Sequence, residues 1–233
     1  AGTIDTATNV AVSVNSGTAS VSQLADIDNA TTGIITATAT EGDMATLASL
    51  TNDNSNNAIT VTVTDASVAA GALNTLDGKT SANVTATAVT AITGTAAAIA
   101  TALSATTIDH AAATITATVD AGSVAAADLN TIDTNSNNNV VATAVTAITG
   151  TAAAIATALS ATTIDHAAAT ITATVDAGSV AAADLNTIDT NSNNNVVATA
   201  ATTLTGTAAA IKTAIEAGTI DTATNVAVSV NSG

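Results

Sequence analysis

The sequence predicts an α/β fold: an open β-α solenoid of about eight units of 25–28 residues, with one parallel sheet and a layer of short Ala-rich helices. Three observations lead there. Residues 83–138 and 139–194 match at 55 of 56 positions, differing only at Thr85 against Val141, and a diverged copy begins at Asn195. Phe, Tyr, Trp, Pro and Cys are absent and Met occurs once, although 47% of the chain is apolar, so any core is built from Ala, Val, Ile and Leu. Such side chains bury little area each, which suits a thin core extended by repetition rather than a thick globule. Finally, the apolar period switches within every unit between that of a helix and that of a strand.

The unit is phased by Gly17, Gly42, Gly94, Gly122, Gly150, Gly178, Gly206 and Gly233, with Ser67 near the one missing mark. Thr18, Asp43, Thr95, Ser123, Thr151, Ser179 and Thr207 follow these glycines and, with Ser67, are expected to cap helices, because a side-chain oxygen accepts from the free N–H groups of a first turn. The Ala-rich stretches after them carry Ile99 and Leu103 four apart, and Leu129 and Ile132 three apart, a narrow apolar stripe. Before each glycine the period is two: Val10, Val12 and Val14, or Ile59, Val61 and Val63 alternating with Thr60, Thr62 and Thr64. Strands joined through helices on one side of a sheet run parallel. The alternative is an all-β parallel β-helix in which the Ala-rich stretch is another coil side; Ala favours helix over strand. Residues 1–233 are expected to form a single solenoid domain.

In plan this resembles leucine-rich-repeat solenoids, although the L-x-x-L-x-L-x-x-N signature is absent. The wording A-V-T-A-I-T-G-T-A-A-A-I and L-N-T-I-D resembles large secreted repeat proteins, adhesin-like or matrix-like, of cyanobacteria and other aquatic bacteria. The resemblance implies an extracellular or cell-surface structural role: a segment of a filament, sheath, matrix or adhesin stalk. Residues 1–17 and 217–233 are identical, which points to one period of a longer array, to duplicated ends or to an arbitrary cut through a periodic fibre. No polar capping repeat is evident, and uncovered strand edges template another chain, so head-to-tail self-association is expected. The lack of an initiating Met or signal pattern fits a mature or excised segment.

The net charge of −16, with only Lys79 and Lys212 as cations, excludes nucleic acid as a partner. No apolar run approaches the length needed to span a membrane. Ile–Asp or Leu–Asp recurs at Asp5, Asp28, Asp77, Asp109, Asp133, Asp165, Asp189 and Asp221, read as an aspartate ladder just after the helices. In two units an Asn-rich run supplies Asp133, Asn135, Asn137 and Asn139, then Asp189, Asn191, Asn193 and Asn195. The alternate spacing resembles the start of a calcium loop, so calcium is the one cofactor considered; the central Gly and closing Glu of an EF-hand are missing. Turn formation by Asp and Asn is the competing explanation. His110 and His166 occupy one repeat position two units apart and cannot share a metal, no nucleophile–base pair assembles, and the glycines lack phosphate-loop spacing. An enzyme is not expected. The pairs Thr36/Thr38/Thr40, Thr60/Thr62/Thr64, Thr85/Thr87, Thr116/Thr118 and Thr172/Thr174 project a hydroxyl grid that resembles solenoid ice-binding surfaces.

Overall fold

The computed structural model describes residues 7–51, 56–110, 114–136, 138–166, 171–192 and 194–231, the side chains of residues 15 and 16 excepted. It is mixed α/β, with eight helices among the described residues, so the all-β alternative does not hold; the parallel strands divide among several sheets where one was expected. The elements in chain order are β1 (Val12–Ala19), α1 (Val21–Ala30), β2 (Ile35–Ala39), α2 (Met44–Leu47), β3 (Ala58–Thr62), β4 (Ser67–Ala69), α3 (Ala70–Asp77), β5 (Val84–Thr85), β6 (Ala91–Gly94), α4 (Ala96–Ser104) and β7 (Ile108–Asp109). They continue as β8 (Thr116–Val119), β9 (Gly122–Ala125), α5 (Ala126–Asn135), β10 (Val140–Val141), β11 (Val145–Gly150), α6 (Ala152–Ser160), β12 (Ile164–Asp165), β13 (Thr172–Val175) and β14 (Gly178–Ala181). The last are α7 (Ala182–Asn191), β15 (Val196–Ala198), β16 (Ala201–Gly206), α8 (Ala208–Glu216), β17 (Ile220–Thr222) and β18 (Ala227–Val230). The chain divides into two compact units, Ala1–Thr93 with Thr101–Ile115, and Gly94–Ala100 with Thr116–Gly233.

In the first unit β1, β2, β3, β5 and β7 form one parallel sheet in that order. Its strands alternate as their sequences require: Ile35, Ala37 and Ala39 point inward and are buried, while Thr36 and Thr38 point out. Inward side chains stack from strand to strand, as in the rank Val61–Val84–Ile108. Separately, β4 pairs in parallel with β6, setting Val68 beside Ile92.

The second unit repeats this arrangement more regularly. One sheet runs β9–β11–β13–β15–β17 and carries the buried rank Val124–Ile148–Ala173–Val196–Ile220. Beside it β8–β10–β12 stacks Ala117, Val140 and Ile164, and β14–β16–β18 stacks Val180, Leu204 and Val228. Helices α5, α6, α7 and α8 pack each on the next. The side-chain amides of Asn130 and Asn186 tie that layer together, donating to the carbonyls of Ala154 and Ala210 at 3.0 and 3.1 Å.

The expected caps divide into two sets. Asp43, Thr95, Thr151 and Thr207 do cap, each accepting from the backbone N–H three residues on at 2.9 to 3.2 Å. Ser67, Ser123 and Ser179 do not: they lie in β4, β9 and β14, and α3, α5 and α7 begin after Ala69, Ala125 and Ala181 with no side-chain cap. The reason is the β-branched residue that follows each serine. Val124 joins the buried rank beside Ile148, so the chain stays extended after the corner at Gly122, whose φ of 122° suits glycine. Likewise β1 runs through Thr18, and the cap of α1 is Ser20, in a capping box with Gln23.

Candidate functional site

The aspartates expected to form one ladder fall into two environments. Asp109, Asp165 and Asp221 lie exposed on the short strands β7, β12 and β17, each closing an outward rank: Thr62–Thr85–Asp109, Thr118–Val141–Asp165 and Thr174–Val197–Asp221. Asp28, Asp77, Asp133 and Asp189 instead lie inside α1, α3, α5 and α7, near their C-terminal ends. Asp5 falls outside the described residues. Asp28 is 3% exposed; its Oδ1 accepts from the Asn57 amide at 2.8 Å, and Asn57 Oδ1 in turn accepts from the Ile35 N–H at 2.8 Å. Asp77 Oδ2 accepts from the Thr107 hydroxyl at 2.8 Å. One carboxylate oxygen on each of Asp28, Asp77 and Asp133 is buried and makes no hydrogen bond.

Of the calcium-loop candidates, Asp133, Asn135, Asp189 and Asn191 lie within helices. Asp133 and Asn135, and equally Asp189 and Asn191, are two apart on a helix, a spacing that points side chains to different faces. The amides of Asn135 and Asn191 donate back into their own helices, to the carbonyls of Thr131 and Thr187 at 2.8 Å. The turn after α5 is closed by its own groups: Ser136 donates to the Asn138 carbonyl at 3.0 Å, and Asn138 Oδ1 accepts from the Asn139 N–H at 2.9 Å. Asn137 and Asn193 lie outside the described residues. No group of three or more His, Asp or Glu side chains gathers as metal ligands among the described residues.

His110 and His166 each set Nε2 3.0 Å from a carbonyl of the preceding helix, Leu103 and Leu159. With the proton on Nε2 the ring donates to that carbonyl, one of the last in its helix without an intrahelical partner. Sequence reading missed a second set of contacts: Glu41 Oε2 accepts from the first helical N–H of α1, Val21, at 2.9 Å, and Asp65 Oδ2 from that of α2, Met44, at 2.6 Å. In both cases an acid just beyond the next strand caps the preceding helix, where the macrodipole favours a negative charge. The signal, an acid 20 or 21 residues after a helix start, is legible only once the strands are in register.

The threonine grid is best developed in the first unit, where Thr36, Thr38, Thr40, Thr60, Thr62 and Thr64 are exposed and Thr18–Thr38–Thr60 form one rank. In the second unit Thr118 and Thr174 are exposed, but Val141 and Val197 stand beside them, so the hydroxyl face is interrupted. No helix among the described residues is long and apolar enough to cross a membrane. No protein-family model, curated protein or solved structure matches the chain.

Proposed function

We propose that the chain is a segment of an extracellular structural repeat protein: an open β-α solenoid whose coils stack end to end to build a filament, sheath, matrix or adhesin stalk. The observation that carries the reading is in-register repetition. The outward rank Thr118–Val141–Asp165 returns 56 residues later as Thr174–Val197–Asp221, over the matching buried ranks Ala117–Val140–Ile164 and Ala173–Val196–Ile220. A catalytic pocket needs a unique constellation, whereas repetition of this kind suits indefinite stacking. The partner on this reading is a second copy of the chain, and the acidic, cation-poor surface leaves no role for nucleic acid. Electron microscopy of the purified chain across a concentration series tests it: unbranched filaments are expected, and particles of single-chain size at every concentration contradict it.

A second reading rests on the exposed Thr ranks of the first unit, which set hydroxyls about 4.8 Å apart between strands and about 6.7 Å apart along them. On that reading the face binds ice or a mineral lattice. Thermal hysteresis at micromolar protein supports it, and ordinary freezing behaviour removes it.

A further inference from the structure

Two helices carry matching open faces. α8 repeats α6 56 residues on, and α6 lies between α5 and α7, whereas α8 packs against α7. The positions that differ in burial between the two therefore mark the face a following helix covers. Ala152, Ala156 and Leu159 are buried in α6; their counterparts Ala208, Lys212 and Ile215 are exposed in α8, Ile215 to 51%. These are i, i+4 and i+7, one helical stripe. The same comparison locates the face of α1 that a preceding helix covers. Against Asp184, Thr187, Ile188 and Asn191 of α7, the counterparts Gln23, Asp26, Ile27 and Ala30 of α1 are each more exposed, again one stripe. Asp26, Ile27 and Ala30 border a depression of about 390 Å³ with Val10 and Val12. The open stripe of α8 thus carries one of the chain's two cations where α6 has Ala, and the open stripe of α1 carries an acid where α7 has Thr.

The strands beside these helices are the two copies of one sequence, and their coverage is complementary. In the first copy Val12 and Val14 are half-buried beside β2 and Val10 is exposed; in the second Val226 is half-buried, while Val228 and Val230 are exposed at 48% and 58%. A strand flanked on both sides, such as β16 between β14 and β18, buries the corresponding Leu204 completely.

We propose that two copies of the chain join by strand replacement: residues 223–230 of one copy, still paired to its own β16, take the place of the identical residues 7–14 of the next and pair with that copy's β2. This deepens the end-to-end reading and rests on it. Because the sequences are identical, β2 keeps the same neighbours, and the one strand is now covered on both sides. Replacement, unlike simple addition of one strand copy beside the other, brings α8 directly against α1. In parallel helices the stripes then meet level by level: Ala208 by Gln23, Lys212 by Asp26 and Ile27, Ile215 by Ala30. Lys212, 2.5 Å from Glu216, carries three donors and bridges Glu216 to Asp26 of the next copy.

The chain has no cysteine, so full-length Ala30→Cys and Ile215→Cys variants, mixed and oxidised, report the junction. A disulfide between positions 30 and 215 of different chains is expected. Lys212→Glu and Asp26→Lys are each expected to raise the critical concentration for assembly at least tenfold, and the two changes in one chain to restore it to within about threefold. If the wild type forms filaments but the cysteine variants give no 30–215 link, or either charge reversal leaves assembly unaffected, strand replacement is overturned and end-to-end stacking stands. A wild-type chain that stays monomeric overturns both.

Discussion

Thr151 and Ser123 both follow a phasing glycine, yet the Thr151 hydroxyl accepts from the Ala154 N–H while Ser123 sits exposed in β9. Thr151→Ala should therefore cost about 1 kcal/mol, the usual worth of an N-cap, and Ser123→Ala less than about 0.5 kcal/mol, both read from urea midpoints at constant slope. Equal losses would remove the distinction between the two glycine corners. Of the four caps Asp43, Thr95, Thr151 and Thr207, Asp43 alone is a carboxylate. The bond from the Thr46 backbone N–H, with the Thr46 side chain adding to it, holds its carboxyl below the ordinary range. A carboxylate with a depressed folded pKa contributes stability that is present above the unfolded value, about 3.9, and is lost as pH falls through the folded value. Exchange protection of the Thr46 amide should fall across that acidic window, and should stay flat in Asp43→Asn, which caps without titrating there.

The strand is where the sequence was most legible. Alternation alone placed Ile59, Val61 and Val63 inward and Thr60, Thr62 and Thr64 outward, and both sets are so disposed. The stripes Ile99/Leu103 and Leu129/Ile132 are buried as their helical spacing requires. The starts of α5 and α7 were not legible, because Ser-Val-Ala after glycine satisfies both a cap and a strand. What decides is pairing with β11, a contact some 25 residues away in sequence. The candidate site was read less well for the same reason. Ile–Asp is one motif in the sequence but two structures, the end of a helix at Asp133 and an exposed strand position at Asp165, and pairing with a neighbouring strand separates them. Rank position also sets energetic weight. Ile148→Ala, flanked on both sides within a five-strand buried rank, should cost about 2–5 kcal/mol, and the outward neighbour Thr149→Ala under about 1 kcal/mol. Comparable costs at the two positions would contradict the assignment of the inner face.

On the scale of the whole molecule, the end-to-end reading turns the repeat into a material. On that reading each coil would add a few Ala, Val, Ile and Leu side chains to a thin core, so stability would grow by neighbour contacts and an uncovered strand would be its weakest place. On the same reading the net charge of −16 would oppose lateral clumping of such stacks, while exposed large apolar side chains, Ile215, Val228 and Val230 among them, would favour axial joining. Raising the salt concentration should therefore thicken bundles before it lengthens filaments. The most direct measurement is X-ray diffraction from aligned assemblies of the full-length chain. Parallel strands stacked along the filament axis predict a meridional reflection at about 4.8 Å. The same spacing on the equator, or solutions that scatter as single chains at every concentration, would contradict the account.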